Sequence, residues 1–189
     1  MEKKLVKEVH EFIHRCSEIV VSFKAECFNA DLFNECLEYG VACPMDSPIE
    51  HILYSAFLTL CEVNFLEKAE PYYFEDKQYI RGTAFYPQVK IGSYRVDFVA
   101  THYTYKGEGV SEEKSLVVEC DSQAFHDRSE KERRYEKQRD RFLISKGYVV
   151  FHFTGTEIMR EPFRVASEIL AHITNGKAEE ILSGIANYE

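Results

Sequence analysis

The chain has 189 residues, 45% hydrophobic and 14% aromatic, and its 32 acidic and 23 basic side chains leave a net charge of −9. This much Tyr and Phe excludes a disordered chain, and the length suffices for one core without disulfide or metal staples. No apolar run approaches the ~18 residues of a membrane-spanning helix, and the charged start from Met1 to Glu8 lacks a signal-peptide core, so a cytoplasmic protein with no membrane partner is expected.

In chain order, Leu5, Val9, Phe12, Ile13, Cys16, Ile19, Val20 and Phe23 recur at helical spacing and predict a helix over 2–27. A shorter helix is expected over 30–39, stopped by Gly40. Ser47-Pro48-Ile49-Glu50 then marks a helix start, with Ser at the cap, Pro at the first helical position and Glu three residues after the cap. The apolar stretch Ile52 to Leu66 continues it.

Phe85 to Ile91 and Tyr94 to Tyr105 alternate as two strands around a turn at Gly92-Ser93. Lys106 to Lys114 reads as a charged loop. Leu116-Val117-Val118 is a short buried strand running into Glu119-Cys120-Asp121. A charged helix is predicted from about Asp127 to Lys146, stopped at Gly147, followed by a strand from Tyr148 to Phe153. Helical periodicity returns over Thr156 to Ile173, and a short helix is expected over 178–186. A hairpin, a third strand, a crossover helix and a fourth strand parallel to the third make an α/β fold with a mixed sheet.

Charge is distributed unevenly. Segment 81–150 carries net +2, against −8 for 1–80 and −3 for 151–189, so an anionic partner should meet the middle of the chain. The cysteines (Cys16, Cys27, Cys36, Cys43, Cys61 and Cys120) have no Cys-x-x-Cys pair. They read as reduced apolar fillers, with neither zinc nor a disulfide.

Three carboxylates stand out. Asp97 interrupts an apolar strand. Glu119 and Asp121, two apart on a strand, project to one face. Buried strand carboxylates are costly unless paired or bound to a cation. Oxygen donors without Cys or His at ligand spacing suit Mg²⁺ or Mn²⁺ rather than zinc, and such a cation lets water attack a phosphodiester. Acids at strand ends also face solvent in many folds, and Asp121 equally suits a turn before Ser122.

Several motifs then stand in one order: Tyr94-Arg95-Val96-Asp97-Phe98, Val117-Val118-Glu119-Cys120-Asp121, Phe125-His126-Asp127-Arg128, Asp140-Arg141, Gly147-Tyr148-Val149 and Phe153-Thr154-Gly155. Together they resemble the PD-(D/E)XK nuclease superfamily, and within it the branch of very-short-patch-repair-like endonucleases and related small domains of unknown function. The resemblance covers roughly residues 45–160. It implies a restriction-endonuclease-like mixed β-sheet core flanked by helices over 45–189, with residues 1–44 as an N-terminal helical extension. It also implies a Mg²⁺- or Mn²⁺-dependent endodeoxyribonuclease whose partner is DNA.

By the same resemblance, Asp97 and Glu119 would be metal ligands and Glu50 an added ligand or water-orienting acid. A plain capping box explains Glu50 equally well. Asp121 occupies the position of the superfamily's usual lysine, and His126 would be a general acid or phosphate contact, or an ordinary loop histidine. Lys131, Tyr135, Gln138 and Phe142 share one helix face. Tyr135 and Phe142 are expected on the sheet, which leaves Lys131, Gln138 or Lys90 as stand-ins for the lysine and as nucleic-acid contacts. The competing reading is a catalytically inactive module of the same fold that binds nucleic acid or a protein. The net charge of −9 speaks for it, and the retained acids speak for the enzyme.

Overall fold

Ser47 and Pro48 begin the first helix of the structure, a computed structural model that describes residues 45–63, 69–74, 77–107, 110–121 and 129–176. This helix, α1, spans Pro48–Val63. The strands are β1 (Glu70–Phe74), β2 (Lys77–Ile91), β3 (Tyr94–Gly107), β4 (Val110–Asp121) and β5 (Val149–Thr154). Helix α2 (Glu130–Ser145) joins β4 to β5, and α3 (Gly155–Arg160) and α4 (Pro162–Ile173) follow. The helices expected over 2–27, 30–39 and 178–186, and with them the extension 1–44, lie outside the described residues.

The five strands form one mixed sheet in the order β1-β2-β3-β4-β5. The first three pairings are antiparallel, and β4 and β5 run parallel, with Glu119 opposite His152 and Asp121 opposite Thr154. Helix α2 is the crossover between the parallel strands, as the chain order predicts. Together with the flanking helices this is a restriction-endonuclease-like α/β fold.

Each face of the sheet has its own core. Ile52, Leu53, Phe57 and Leu60 of α1 meet Val165, Ala166, Ile169 and Leu170 of α4 over Phe85, Phe98, Leu116 and Val118. The rings of Phe57, Phe85 and Phe98 stack at 4.3 and 4.4 Å between centroids. Burial of each such side chain contributes ~1.5–3 kcal/mol, so this face carries most of the stability. The opposite core is smaller: Val96, Val99, Val117 and Leu143, with Phe142, Tyr148 and Val150 packed against it. Helix α2 is the helix that covers this second face.

Three expectations are corrected. Most of Lys106 to Lys114 is not loop: β3 runs to Gly107 and β4 starts at Val110, pairing Tyr103 with Glu113 and Gly107 with Val110. Tyr103, Thr104 and Tyr105 favour a strand, and the charged side chains of Lys106 and Glu113 are exposed. The helix expected over Thr156–Ile173 is two helices broken at Glu161, because Pro162 has no N–H to continue the first and suits the first turn of the second. Strand β2 starts at Lys77, well before Phe85, and pairs with β1, for which no strand was expected.

Candidate active site

The ladder between β3 and β4 ends at Phe98 and Val118. Beyond that pair the strands part, and the side chain of Asp97 bridges them: its Oδ2 accepts the Cys120 amide at 2.7 Å. Val117 belongs to the core under α2, so the alternation of β4 sends Glu119 and Asp121 to that same face. His152, paired with Glu119 across the parallel ladder, joins them there. The acids thus gather at the carboxyl ends of the parallel strands, where open α/β sheets commonly bind ligands.

From the other side, α1 brings Glu50. Ser47 caps the helix through the Glu50 amide at 3.4 Å, and its hydroxyl donates to Glu50 Oε1 at 2.6 Å. The Asp46 amide and the Gln88 side-chain amide both donate to Glu50 Oε2, at 3.1 and 2.6 Å. An ion pair between Arg95 and Asp46 ties the start of the helix to β3. Glu50 therefore caps its helix and also stands in the acidic group.

Burial dominates the electrostatics. Glu119 is 3% exposed, and its pKa is pushed up from 4.5 to about 8, first by burial and then by Asp97, against the pull of Arg139. Burial also raises Asp97, opposed by the Cys120 amide and by Arg139. Glu50 is raised by burial and by the charge of Asp97, opposed by its bonds to Ser47, Asp46 and Gln88. Burial chiefly raises the thiol of Cys120, and the charges of Asp97, Glu50, Glu119 and Asp121 add to the rise. These acids occupy one electrostatic neighbourhood.

The cation facing them is Arg139 of α2. Its side chain is 15% exposed and its guanidinium reaches Glu119 Oε2 at 3.3 Å. Lys90, Lys131 and Gln138 are exposed instead. Phe142 packs on the second core as expected, whereas Tyr135 is 55% exposed and touches the ring of Tyr94 at 5.7 Å. Arg139 and His152 were missed because an Arg in a charged helix and a His in a strand look ordinary. The one available signal was the four-residue step from Arg139 to Leu143, which puts them on one helix face.

His152 lies between two acids, with Nδ1 3.4 Å from Asp121 and Nε2 3.3 Å from Asp140. The Asp121 carboxylate beside it raises its pKa against the opposing effect of burial. This chain of contacts ties α2 to the ends of β4 and β5. His126 lies outside the described residues. Cys61 and Cys120 are free thiols, and the other four cysteines lie outside the described residues.

A divalent cation is implied by the fold, and the donor set suits one chemically: Glu50, Asp97 and Glu119 are all hard oxygen donors. Glu119 Oε1 is buried with no hydrogen-bond partner among the described residues, as is Nε of Arg139. Among the described residues, however, no three His, Cys, Asp or Glu side chains converge closely enough to enclose an ion as they stand.

A family model of restriction-endonuclease-like domains, REase_MTES_1575, matches residues 77–173, just over half of the chain. The chain belongs to this restriction-endonuclease-like family. The match takes in the whole of β2 to α4, and so Asp97, Glu119, Asp121, Arg139 and His152, while Glu50 and α1 precede it. No curated protein and no solved structure matches the chain. Among the described residues, no helix of this family member is long and apolar enough to cross a membrane.

Proposed function

We propose that the chain is a divalent-metal-dependent nuclease that hydrolyses DNA phosphodiester bonds, of the branch resembling very-short-patch-repair endonucleases. The observation that carries this reading is Glu119: a 3%-exposed carboxyl at a strand end, one oxygen unpartnered among the described residues, beside Asp97. A fold that needed only stability would do as well with an apolar residue there. Asp97, Glu119 and Glu50 would hold the cation. When bound, Mg²⁺ or Mn²⁺ lowers the pKa of water and offsets charge on the leaving oxygen.

The chain's own residues do the rest. Asp97 is oriented by the Cys120 amide and Glu50 by Ser47 and Gln88, which fixes where their oxygens point. Arg139 sits where an entering phosphate would otherwise meet only acids, and its cationic fork suits phosphate oxygens. Asp121 and His152, 3.4 Å apart, are a contacting pair able to hold a proton near the leaving group. His126 remains a candidate general acid. With the chain at −9 overall, DNA affinity must come from local cations and should fall steeply with salt.

The inactive binding module is favoured by one specific observation: the guanidinium of Arg139 stands 3.3 Å from Glu119, where a cation would bind. One assay separates the two readings. Plasmid and single-stranded DNA are titrated with Mg²⁺ and Mn²⁺, using wild type and Asp97→Ala. Cleavage by wild type and at least ~100-fold less by Asp97→Ala is expected, since even partners outside the ligand shell are worth 10–100-fold. Wild-type activity no higher than that of Asp97→Ala leaves only the binding module.

A further inference from the structure

Gln88 is the anomaly of the sheet. It is a non-glycine residue in the middle of β2 with φ of 54°, in the left-handed region. That conformation is uncommon for a long side chain and costs roughly 1 kcal/mol or more, so the surroundings must hold it there. The antiparallel ladder pairs Pro87 with Phe98 and Val89 with Val96, and skips the intervening Gln88 and Asp97. The irregularity therefore falls directly opposite the strand acid of the site. Pro87, with no N–H, cannot restore the pairing from its own position.

The strained backbone delivers the side-chain amide to Glu50 Oε2 at 2.6 Å, linking β2 to α1. The other end of that amide, Oε1, is buried and has no hydrogen-bond partner among the described residues. A side chain recruited merely to fill space would not combine a disfavoured φ, a broken ladder and an unsatisfied buried oxygen. Such strain characteristically marks positions where a function over-determines the backbone.

We propose that Gln88 is a positioning residue for the acidic site: its twisted backbone carries the amide across the strand so that the N–H₂ holds Glu50 toward Asp97. This rests on the reading of Glu50, Asp97 and Glu119 as a cation site. Fixing the acid in advance is what gives an outer partner its effect on ion affinity.

The test uses Gln88→Gly and Gln88→Leu in the full chain. Leucine removes the amide and keeps the left-handed strain, whereas glycine removes both, so the pair separates the backbone from the side chain. Two readouts are taken: Mn²⁺ affinity by titration calorimetry, and urea unfolding in chelator, as a double-mutant cycle with Glu50→Gln. Each single variant should weaken Mn²⁺ about tenfold, and the cycle should show a coupling of about tenfold in the unfolding equilibrium constant. If Gln88→Gly binds Mn²⁺ like wild type and the cycle shows no coupling, Gln88 serves only the strand and the proposal is overturned. Should Gln88→Leu fail to fold, Gln88→Gly alone decides. If wild type binds no Mn²⁺, the cation reading falls, and the cycle still upholds or overturns the tie between Gln88 and Glu50.

Discussion

Burial opposes the ionisation of Glu119, so its replacement by Gln should change how stability depends on pH. Its folded pKa is about 8 against an ordinary 4.5. Between those values the native state keeps a proton that the unfolded chain has released, so raising the pH favours unfolding. The sign is opposite to that of a salt-bridged surface acid, whose stabilisation is lost as the pH falls. A displacement of roughly 3.5 pH units at ~1.36 kcal/mol each sets a ceiling of ~5 kcal/mol, with the attraction of Arg139 already included. Gln cannot ionise and removes this term. Urea unfolding of wild type and Glu119→Gln, from about pH 5 to about pH 9 in chelator, should show the difference between them shift by at least ~2 kcal/mol in favour of the variant as the pH rises. Subtraction cancels the other titrating groups. Parallel curves would refute the claim that Glu119 is held protonated by its burial. A saturating divalent cation prefers the ionised acid, so it should flatten the wild-type curve by raising its high-pH end, by ~2.7 kcal/mol at a hundredfold excess over Kd. That flattening should be absent in Asp97→Ala.

Arg139→Gln should lower stability by ~3 kcal/mol near pH 9, where Glu119 is ionised and would lose its buried partner, and by less near pH 6; the same unfolding series measures both. His152→Gln should cancel a different pH dependence. The raised pKa of His152 means that its stabilisation is fully present below about pH 6.5 and fades as the pH rises through the folded value, so the wild-type advantage over the variant should shrink above neutrality. Gly92→Ala should cost ~1–3 kcal/mol by thermal or urea unfolding, because Gly92 has φ of 61° and a Cβ there would lie 2.6 Å from Cζ of Phe142. A variant as stable as wild type would show that the hairpin does not need this turn.

The fold was legible wherever short-range chemistry decides it. Ser47-Pro48 and Gly147 bound helices by capping and by left-handed freedom, and Gly92-Ser93 closes a hairpin, all within a few residues. The hairpin through Lys106–Lys114 was illegible for the opposite reason: its charged residues look like loop, and only the partner strand makes them pair. Pro162 is readable as a break, but the apolar period of Ile158, Val165, Ile169 and Ile173 runs straight through it.

The site divides along the same line. Asp97 and Glu119 could be singled out because a carboxylate in an apolar strand is locally anomalous. Arg139, His152 and Gln88 are far less legible, because little in a chain of letters distinguishes them from solvent-facing neighbours; their meaning lies in where α2, β5 and a left-handed kink carry them. The missing lysine shows why this matters. The sequence offered exposed Lys90, Lys131 and Gln138 as substitutes, on the assumption that the compensating group belongs near the strand motif or on the aromatic side of the helix. What an acidic cluster requires is only a cation at contact distance, and a helix crossing the sheet supplies one from a face that the motif does not name. Charge compensation is a constraint on space and not on sequence position, so it can move between elements while the acids it serves stay in place.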